Sequence, residues 1–368
     1  MIWTWVGFIL LILGLLALDL GVLHRKAHVI GVREALGWSA FWISLGLLFS
    51  VFVYFGYEHH WLELGLTADG KVAIDPVDKT PMHGHTAAVK YIMGYVIEES
   101  LSVDNLFVIA LILAYFKVPG PYQHRLLFWG ILGALIMRGT MIGLGAALIA
   151  RFHWILYLFG AFLIITAIRM LFLDAEDAKP GSNPIVRLAR RWFPVCEEYH
   201  GKHFVVKAEQ AACGTSRGWM LTPMALALVM VETTDLIFAV DSIPAIFAIT
   251  GDPFIVFTSN VFAILGLRSL YFALAGMMDK FRYLKVSLAI ILALVGVKML
   301  ISDWLKSKIG DSFNFWLLGV IAAILIGGVI ASVLVNRRDA RHAAAAAPGA
   351  APPPANDANA DADPVHRA

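Results

Sequence analysis

Long apolar runs dominate this chain and constrain its fold more than any other feature. Of its 368 residues, 59% are hydrophobic and 15% are charged. A helix of about 20 apolar residues crosses a hydrocarbon core about 30 Å thick. Nine such segments are predicted, at residues 2–23, 36–57, 91–115, 126–150, 153–173, 221–249, 254–277, 283–301 and 313–335. The sequence therefore predicts an all-α, polytopic membrane protein.

Two of these segments carry nearly the same acidic motif. Residues 102–106 read Ser-Val-Asp-Asn-Leu in the third segment, and residues 239–243 read Ala-Val-Asp-Ser-Ile in the sixth. Six residues before each aspartate stands another acid, Glu98 before Asp104 and Asp235 before Asp241. A charged side chain at membrane depth costs about 2.5–3.5 kcal/mol on insertion scales. The repeated pair therefore predicts a functional site.

The similarity extends to the two segments that follow each acidic one. Segments four and seven carry similar stretches that end in Arg138 and Arg268, and segments five and eight end with a cation followed by Met-Leu. Chance similarity among apolar helices is the alternative, but three landmarks in the same order argue against it. Each half of the chain is therefore predicted to contain one copy of a three-helix unit.

Positive residues alternate between the loops and predict the orientation of the chain. Basic loops follow the first, third, fifth, seventh and ninth segments, whereas the other loops are acidic, mixed or short. The positive-inside rule places the N-terminus outside and the C-terminus in the cytoplasm. The two units then run in opposite directions. Inverted three-helix repeats with polar groups near mid-membrane are typical of secondary transporters.

The predicted organisation follows from these segments. The tail is rich in Ala and Pro and has almost no large apolar residue, so disorder is expected there. Cys196 and Cys213 lie in the predicted cytoplasmic loop, where free thiols are expected, and the external loop is predicted to be a solvated polar segment. The units are two N-terminal helices with the external loop (1–90), a first repeat (91–173), a cytoplasmic loop (174–217), a second, inverted repeat (218–302), a C-terminal helix (303–338) and a disordered cytoplasmic tail (339–368).

Oxygen-bearing side chains dominate the two acidic segments. Hard cations such as Mg²⁺, Ca²⁺ and Mn²⁺ bind carboxylate, amide and hydroxyl oxygens, whereas soft metals favour Cys, Met or His. A cluster of acids repels itself, so a bound cation or proton is expected. Asp19 could equally pair with Arg25 or Lys26. The predicted metal ligands are Glu98, Asp104, Asn105, Glu232, Asp235, Asp241, Ser242 and Asp19.

Helical geometry separates the two acids of each copy. Glu98, Ser102 and Asn105 share one helix face, whereas Asp104 is turned away by about 120°. Asp235 and Asp241 have the same offset. Either the two carboxylates of a copy contact different neighbours, or the helix unwinds between them. Pro244 favours a local break beside Asp241.

Buried cations complete the predicted site. Arg138 and Arg268 lie deep in their segments and are predicted to pair with the acids and to move when a cation arrives. Arg169 and Lys298 lie near segment ends, where a long side chain reaches the membrane surface. We therefore predict that these two snorkel to the interface.

Three motifs carry a resemblance to a known family. They are residues 18–28 (Leu-Asp-Leu-Gly-Val-Leu-His-Arg-Lys-Ala-His), residues 98–105 and residues 232–244. Together they resemble the TerC family, in particular its Alx-like branch, over residues 1 to about 340. The resemblance implies a bacterial inner-membrane protein of a family named for tellurite resistance, with a branch linked to export of Mn²⁺. It implies an ion-site role for Glu98, Asp104, Glu232, Asp235 and Asp241.

Two functions are consistent with the sequence. The first is a secondary transporter that exports Mn²⁺ or a similar divalent cation, with protons as the candidate exchange ion and without a prosthetic group. The second is a membrane scaffold or resistance component for tellurite or other oxyanions, which Arg138 and Arg268 could serve. An intramembrane hydrolase is disfavoured because no Gly-Xaa-Gly-Asp motif accompanies the aspartates. The expected partners are a divalent cation and the lipid bilayer, and no nucleic acid, because the basic residues lie at helix ends.

Overall fold

The computed structural model describes most of the predicted membrane segments. The described residues are 2–18, 32–152, 154–172, 187–188, 191–196, 198–201, 203–207, 218–274, 283–301 and 313–346. Their helices are α1 (Ile2–Leu18), α2 (Val32–Glu58), α3 (Gly84–Tyr115), α4 (Gly120–Arg151), α5 (Ile155–Phe172), α6 (Pro223–Phe247), α7 (Pro253–Leu274), α8 (Leu284–Leu300) and α9 (Phe313–Ala346). A 3₁₀ turn (Trp61–Glu63) and two short strands, β1 (Val205–Lys207) and β2 (Trp219–Leu221), complete the described elements.

The prediction of an all-α, polytopic membrane protein is confirmed, and each predicted segment overlaps one of the described helices. Six of these helices are long and apolar enough to cross a membrane, namely α2, α4, α5, α6, α7 and α9. Charged residues interrupt α3, while α1 and α8 have 17 residues each. Length and composition alone therefore do not establish nine spans. The last helix continues to Ala346, past the predicted start of the tail at 339.

The helices of the two predicted three-helix units pack against each other. α3 packs on α7, α4 on α6, and α5 on α8. We call the side that holds residues 59–83 and 248–252 the loop side, and the side that holds residues 116–119 and the β1–β2 hairpin the hairpin side. Residue 75, which precedes α3, contacts residues 250 and 251, which follow α6, so the start of α3 and the end of α6 lie on the loop side. Residue 116, which follows α3, contacts residue 199, so the end of α3 lies on the hairpin side. The two helices therefore run in opposite directions.

Two glycines permit the close crossing of α5 and α8. A Cβ added at Gly296 would lie 2.9 Å from the carbonyl oxygen of Gly160, and one at Gly160 would lie 3.0 Å from that of Gly296. Small residues of this kind let membrane helices approach until their backbones touch. The third helices of the two units are therefore joined by backbone packing.

We expect Gly296→Leu to destabilise the protein by about 1–3 kcal/mol, because the side chain must push α5 and α8 apart. Gly143→Leu on α4 is the control, since a Cβ there meets nothing within 4 Å. Thermal unfolding of the full chain in detergent measures both. Equal stability of the two variants would contradict the close crossing.

A small lobe covers the hairpin side. β1 and β2 pair antiparallel with Val206 opposite Met220, and Thr222 caps the start of α6 by accepting a hydrogen bond from the amide of Ala225. The hydroxyl of Tyr199 donates to the carbonyl of Phe116 at 2.6 Å and fixes the lobe to the end of α3. Cys196 is disulfide-bonded. The prediction of free thiols is therefore wrong for Cys196, because it was drawn from the expected compartment and not from chain geometry.

A buried network of side-chain ion pairs and hydrogen bonds stabilises the loop side. The ammonium of Lys90, which is 0% exposed, donates to Asp75 and Asp78 at 2.8 Å each and to the hydroxyl of Thr80 at 2.9 Å. Burying a charge is costly unless it is paired and hydrogen-bonded, and here every hydrogen of the ammonium has an oxygen partner. The prediction of a solvated external loop is thus wrong for Asp75 and Thr80, which are buried.

Asp75 connects this network to the second unit. It accepts hydrogen bonds from the hydroxyl of Thr250 and from the amide of Gly251, the latter at 3.1 Å. Lys298, 4% exposed, donates to the carbonyl of Ala248 at 2.8 Å. The prediction that Lys298 snorkels is therefore wrong: the turn between α6 and α7 supplies a buried acceptor, and two aspartates lie nearby. Arg169, by contrast, is exposed at the surface of the bundle.

The network makes stability depend on pH through Asp78. Burial raises the pKa of Asp78, but attraction by Lys90 and Lys298 and hydrogen bonds from Lys90 and Thr80 outweigh it, so the pKa lies well below its usual value of 3.8. When the pKa of a carboxyl group is lower in the folded protein, the ionised group stabilises the folded state at pH values above the unfolded-state pKa. This stabilisation is lost as the pH falls through the folded-state pKa. We expect Asp78→Asn to cost about 2 kcal/mol at neutral pH and progressively less as the pH falls below the usual pKa of an aspartate, 3.8. Thermal unfolding against pH tests this, with exposed Asp69→Asn as the control.

Candidate functional site

Arg138 of α4 forms the centre of a buried polar cluster between the two units. Its side chain makes a bidentate pair with Asp235 of α6, with Nε 3.1 Å from Oδ2 and Nη2 2.9 Å from Oδ1. Its Nη1 donates to Oε1 of Glu98 on α3. Arg138 is 1% exposed and Glu98 0% exposed. The arginine therefore joins the first acids of the two repeated motifs.

Three oxygens from three helices surround Nη1 of Arg138. Besides Glu98 Oε1, they are the Ser242 hydroxyl of α6 at 3.4 Å and Oδ1 of Asn260 on α7 at 3.3 Å. All three side chains are buried. We call Glu98, Arg138, Asp235, Ser242 and Asn260 the Arg138 centre. Its acceptors are all oxygen, which is the ligand set that hard cations prefer.

Several buried polar atoms near this centre have no hydrogen-bond partner among the described residues. A buried group without a partner costs about 1–3 kcal/mol and calls for an explanation such as an ion or water. Two of these atoms belong to the Arg138 centre itself, and a third belongs to Ser102, one helical turn beyond Glu98. The atoms are Glu98 Oε2, Asn260 Nδ2, Ser102 Oγ, Glu99 Oε2 and Glu232 Oε2.

A cavity of about 20 Å³ adjoins the centre on the hairpin side. This volume is enough for one water molecule. Its polar wall is formed by Asp235 and Arg268, so Asp235 faces both the cavity and Arg138. The full lining is Ile109, Leu127, Gly130, Ile131, Ala134, Val231, Asp235, Ile264, Leu267 and Arg268. The predicted gating arginine Arg268 therefore lines the same cavity as Asp235.

Glu232 lies one turn before Asp235, on the part of α6 that faces α4. Its carboxylate packs directly against Gly133, where any side chain would collide with it. The glycine thus makes room for a carboxylate at the interface of the two units. Glu232 is half-buried and does not contact Arg138.

Asp241 faces a different neighbour from Asp235. It accepts a hydrogen bond from the hydroxyl of Thr166 on α5 at 3.1 Å. α6 is helical from Pro223 through Phe247, so the helix is unbroken between the two aspartates. The structure thus matches the first alternative, in which the two carboxylates of this copy contact different helices.

Asn105, Asp104 and Asp19 are the remaining predicted ligands. Asn105 is buried farther along α3 and is not a partner of Arg138. Asp104 lies within α3, but its side chain is outside the described residues, as is all of Asp19. In the described part of the chain, no three Asp, Glu, His or Cys side chains come together to hold a metal ion. The guanidinium of Arg138 lies between Glu98 and Asp235 instead.

Sequence reasoning missed two residues of this region. Asn260 binds Arg138, and Thr166 binds Asp241, yet neither belongs to the repeated motifs. The available signal for Asn260 was a carboxamide inside an apolar segment, eight residues before Arg268. For Thr166 we find no comparable signal, since a threonine in an apolar helix commonly bonds to its own backbone.

Comparison with known proteins identifies the family. Residues 83–340 match the family described as Integral membrane protein TerC family. The chain belongs to the TerC family. The prediction from the sequence motifs is therefore confirmed, and the chain is a multi-pass integral membrane protein.

Relatives match the TerC chain over almost its whole length. A membrane protein of Myxococcus xanthus named STKORF319, described as uncharacterized, is 46% identical over 333 residues, which is 90% of this chain and 92% of that one. Alx of Escherichia coli strain K12, provisionally named a membrane-bound redox modulator, is 41% identical and covers 91% of this chain and 95% of its own. Alx of Photorhabdus laumondii is also 41% identical. No solved structure matches the chain.

Proposed function

We propose that this TerC protein is a secondary transporter that exports Mn²⁺ or a similar hard divalent cation from the cytoplasm. The observation that supports this most is the environment of Arg138 Nη1. A positively charged group lies among oxygens of Glu98, Ser242 and Asn260, next to Asp235. We interpret the guanidinium as a built-in substitute for the cation. Hard cations bind oxygen at about 2.0–2.6 Å, so the oxygens would close in when Arg138 withdraws.

The proposal includes an architecture of nine membrane spans with an inverted three-plus-three repeat. The opposite directions of α3 and α6 support it, as does the exchange of partners in which α3 packs on α7 and α4 on α6. The Arg138 centre then lies at the repeat interface, where transporters of this type bind their substrate. The N-terminus would lie outside and the C-terminus in the cytoplasm of a bacterial inner membrane.

A transport path follows from the two sides of the centre. The cavity beside Asp235 lies on the hairpin side, which the positive-inside rule assigns to the cytoplasm. The loop side is fastened by Lys90, Asp75 and Lys298. A cation would therefore reach Asp235 from the cytoplasm, displace Arg138 and leave after the loop side opens. Proton uptake by the freed carboxylates would complete an exchange cycle, and the proposal includes no enzymatic step.

The test is Mn²⁺ flux into proteoliposomes that contain the full chain, with and without a pH gradient. We expect saturable flux that responds to the gradient, and none in protein-free liposomes or with Glu98→Gln. Flux without a response to pH would remove proton exchange from the proposal. If correctly folded protein gives no flux, the scaffold role in oxyanion stress becomes the better explanation.

A further inference from the structure

Asn260 supplies the amide oxygen of the Arg138 centre. It is 0% exposed, on α7, and its Oδ1 accepts the hydrogen bond from Arg138 Nη1 at 3.3 Å. Its Nδ2 is buried and has no partner among the described residues. This position therefore holds an asparagine whose amide nitrogen is unsatisfied. An apolar residue of similar size would avoid the cost of that unpaired group.

We infer that Asn260 is a neutral ligand of the transported cation, an inference that rests on the proposed function. An amide oxygen is a standard ligand for hard cations. While Arg138 occupies the centre, Oδ1 of Asn260 accepts its hydrogen bond. When the guanidinium withdraws, that oxygen loses its donor and already points at the vacated position, together with Oε1 of Glu98.

The neutrality of Asn260 fits the centre to a divalent cation. Glu98 and Asp235 supply two negative charges, and Ser242 and Asn260 add oxygens without charge. Once Arg138 has left, a doubly charged cation neutralises the centre. A third carboxylate in place of Asn260 would add a further buried negative charge, which is costly in a dry interior.

Asn260 also makes the two halves of the site unequal. It precedes Arg268 by eight positions, and the residue that precedes Arg138 by eight positions is Gly130. Gly130 lines the cavity beside Arg268 and Asp235. One half therefore supplies a polar ligand where the other half has a glycine that lines the cavity. The asymmetry predicts one cation position, next to Glu98 and Asn260, approached through the cavity at Gly130.

Equilibrium binding of radioactive Mn²⁺ to the full chain in detergent tests the inference. Asn260→Leu keeps the volume and removes both polar ends, and we expect its Kd for Mn²⁺ to rise about tenfold, as for loss of one ligand worth about 1.4 kcal/mol. Ser259→Ala is the matched control, because that hydroxyl bonds to the carbonyl of Val256 in its own helix at 3.2 Å. Thermal unfolding should show both variants to be at least as stable as the native chain.

A second background separates a ligand from a residue that only positions Arg138. Arg138→Lys keeps the positive charge but removes the guanidinium that Asn260 holds. If Asn260 is a ligand, Asn260→Leu still raises the Kd about tenfold in this background. Disappearance of the effect there, or unchanged binding by Asn260→Leu in the native background, would overturn the inference and leave the proposed function standing. Absence of Mn²⁺ binding by the folded native chain would overturn both.

Discussion

Replacing Arg138 by methionine is expected to destabilise the protein by about 3–5 kcal/mol in the absence of divalent cations, because removal of one partner leaves buried charges uncompensated. Arg138 makes a bidentate pair with Asp235 and a further bond to Glu98, and all three lie between the two units. Methionine fills much of the same space but brings no charge. The measurement is thermal unfolding of the full chain in detergent with a metal chelator present.

Addition of Mn²⁺ should restore most of this loss. If the guanidinium substitutes for the transported cation, a variant without it has two buried negative charges and no positive side chain between them. Ligand binding to the folded state then stabilises the variant by about 2.7 kcal/mol when the concentration is 100 times the Kd. The native chain should gain less, because the cation must first displace Arg138. Destabilisation without recovery by Mn²⁺ would mean that the centre is a structural ion pair.

Two controls make the comparison specific. Arg169→Met removes an exposed arginine from α5 and should change stability by no more than about 0.5 kcal/mol. Arg138→Met combined with Glu98→Gln and Asp235→Asn removes the charges together with their partner, and should recover stability without any cation. An Arg138→Met protein as stable as the native chain would show that the acids are not ionised in this centre.

Local rules of the sequence predicted the helices and the two acidic motifs. A helix that crosses a membrane must be long and apolar, so each predicted segment could be read without knowledge of its neighbours. The same rules made Glu98 and Asp235 conspicuous, since carboxylates are costly in such helices. That reasoning uses only residues near each other in the chain.

Contacts between distant parts of the chain could not be predicted in this way. Arg138 reaches Asp235 over 97 positions and Asn260 over 122, and Thr250 reaches Asp75 over 175. Such contacts depend on the register in which helices pack, which the composition of one helix does not determine. Lys298 illustrates the error: a lysine near a helix end normally snorkels, but here the turn between α6 and α7, 50 positions away in the chain, supplies its acceptor.

Asp235→Asn should lower the rate of Mn²⁺ transport at limiting substrate by about 100-fold, whereas Asp241→Asn should lower it by about tenfold or less. Asp235 binds Arg138 and lines the cavity. Its charge therefore pairs with Arg138 while the arginine occupies the centre, and it attracts the incoming cation. Loss of such a buried charged partner costs about 3 kcal/mol, which corresponds to roughly 100-fold. Asp241 accepts a hydrogen bond from Thr166 on α5 and does not contact the centre.

These two aspartates form a matched pair, because the same substitution is made twice on one helix, six positions apart. The repeated motif alone predicts that Asp241 and its counterpart Asp104 are as important for transport as Asp235 and Glu98. The packing of α6 instead predicts unequal effects, since its two faces meet different helices. Initial rates in proteoliposomes, with thermal unfolding to show that both variants are folded, decide between these expectations. Equal losses would mean that the cation path includes the α5 face of α6, and the Arg138 centre would then be only one of two positions along it.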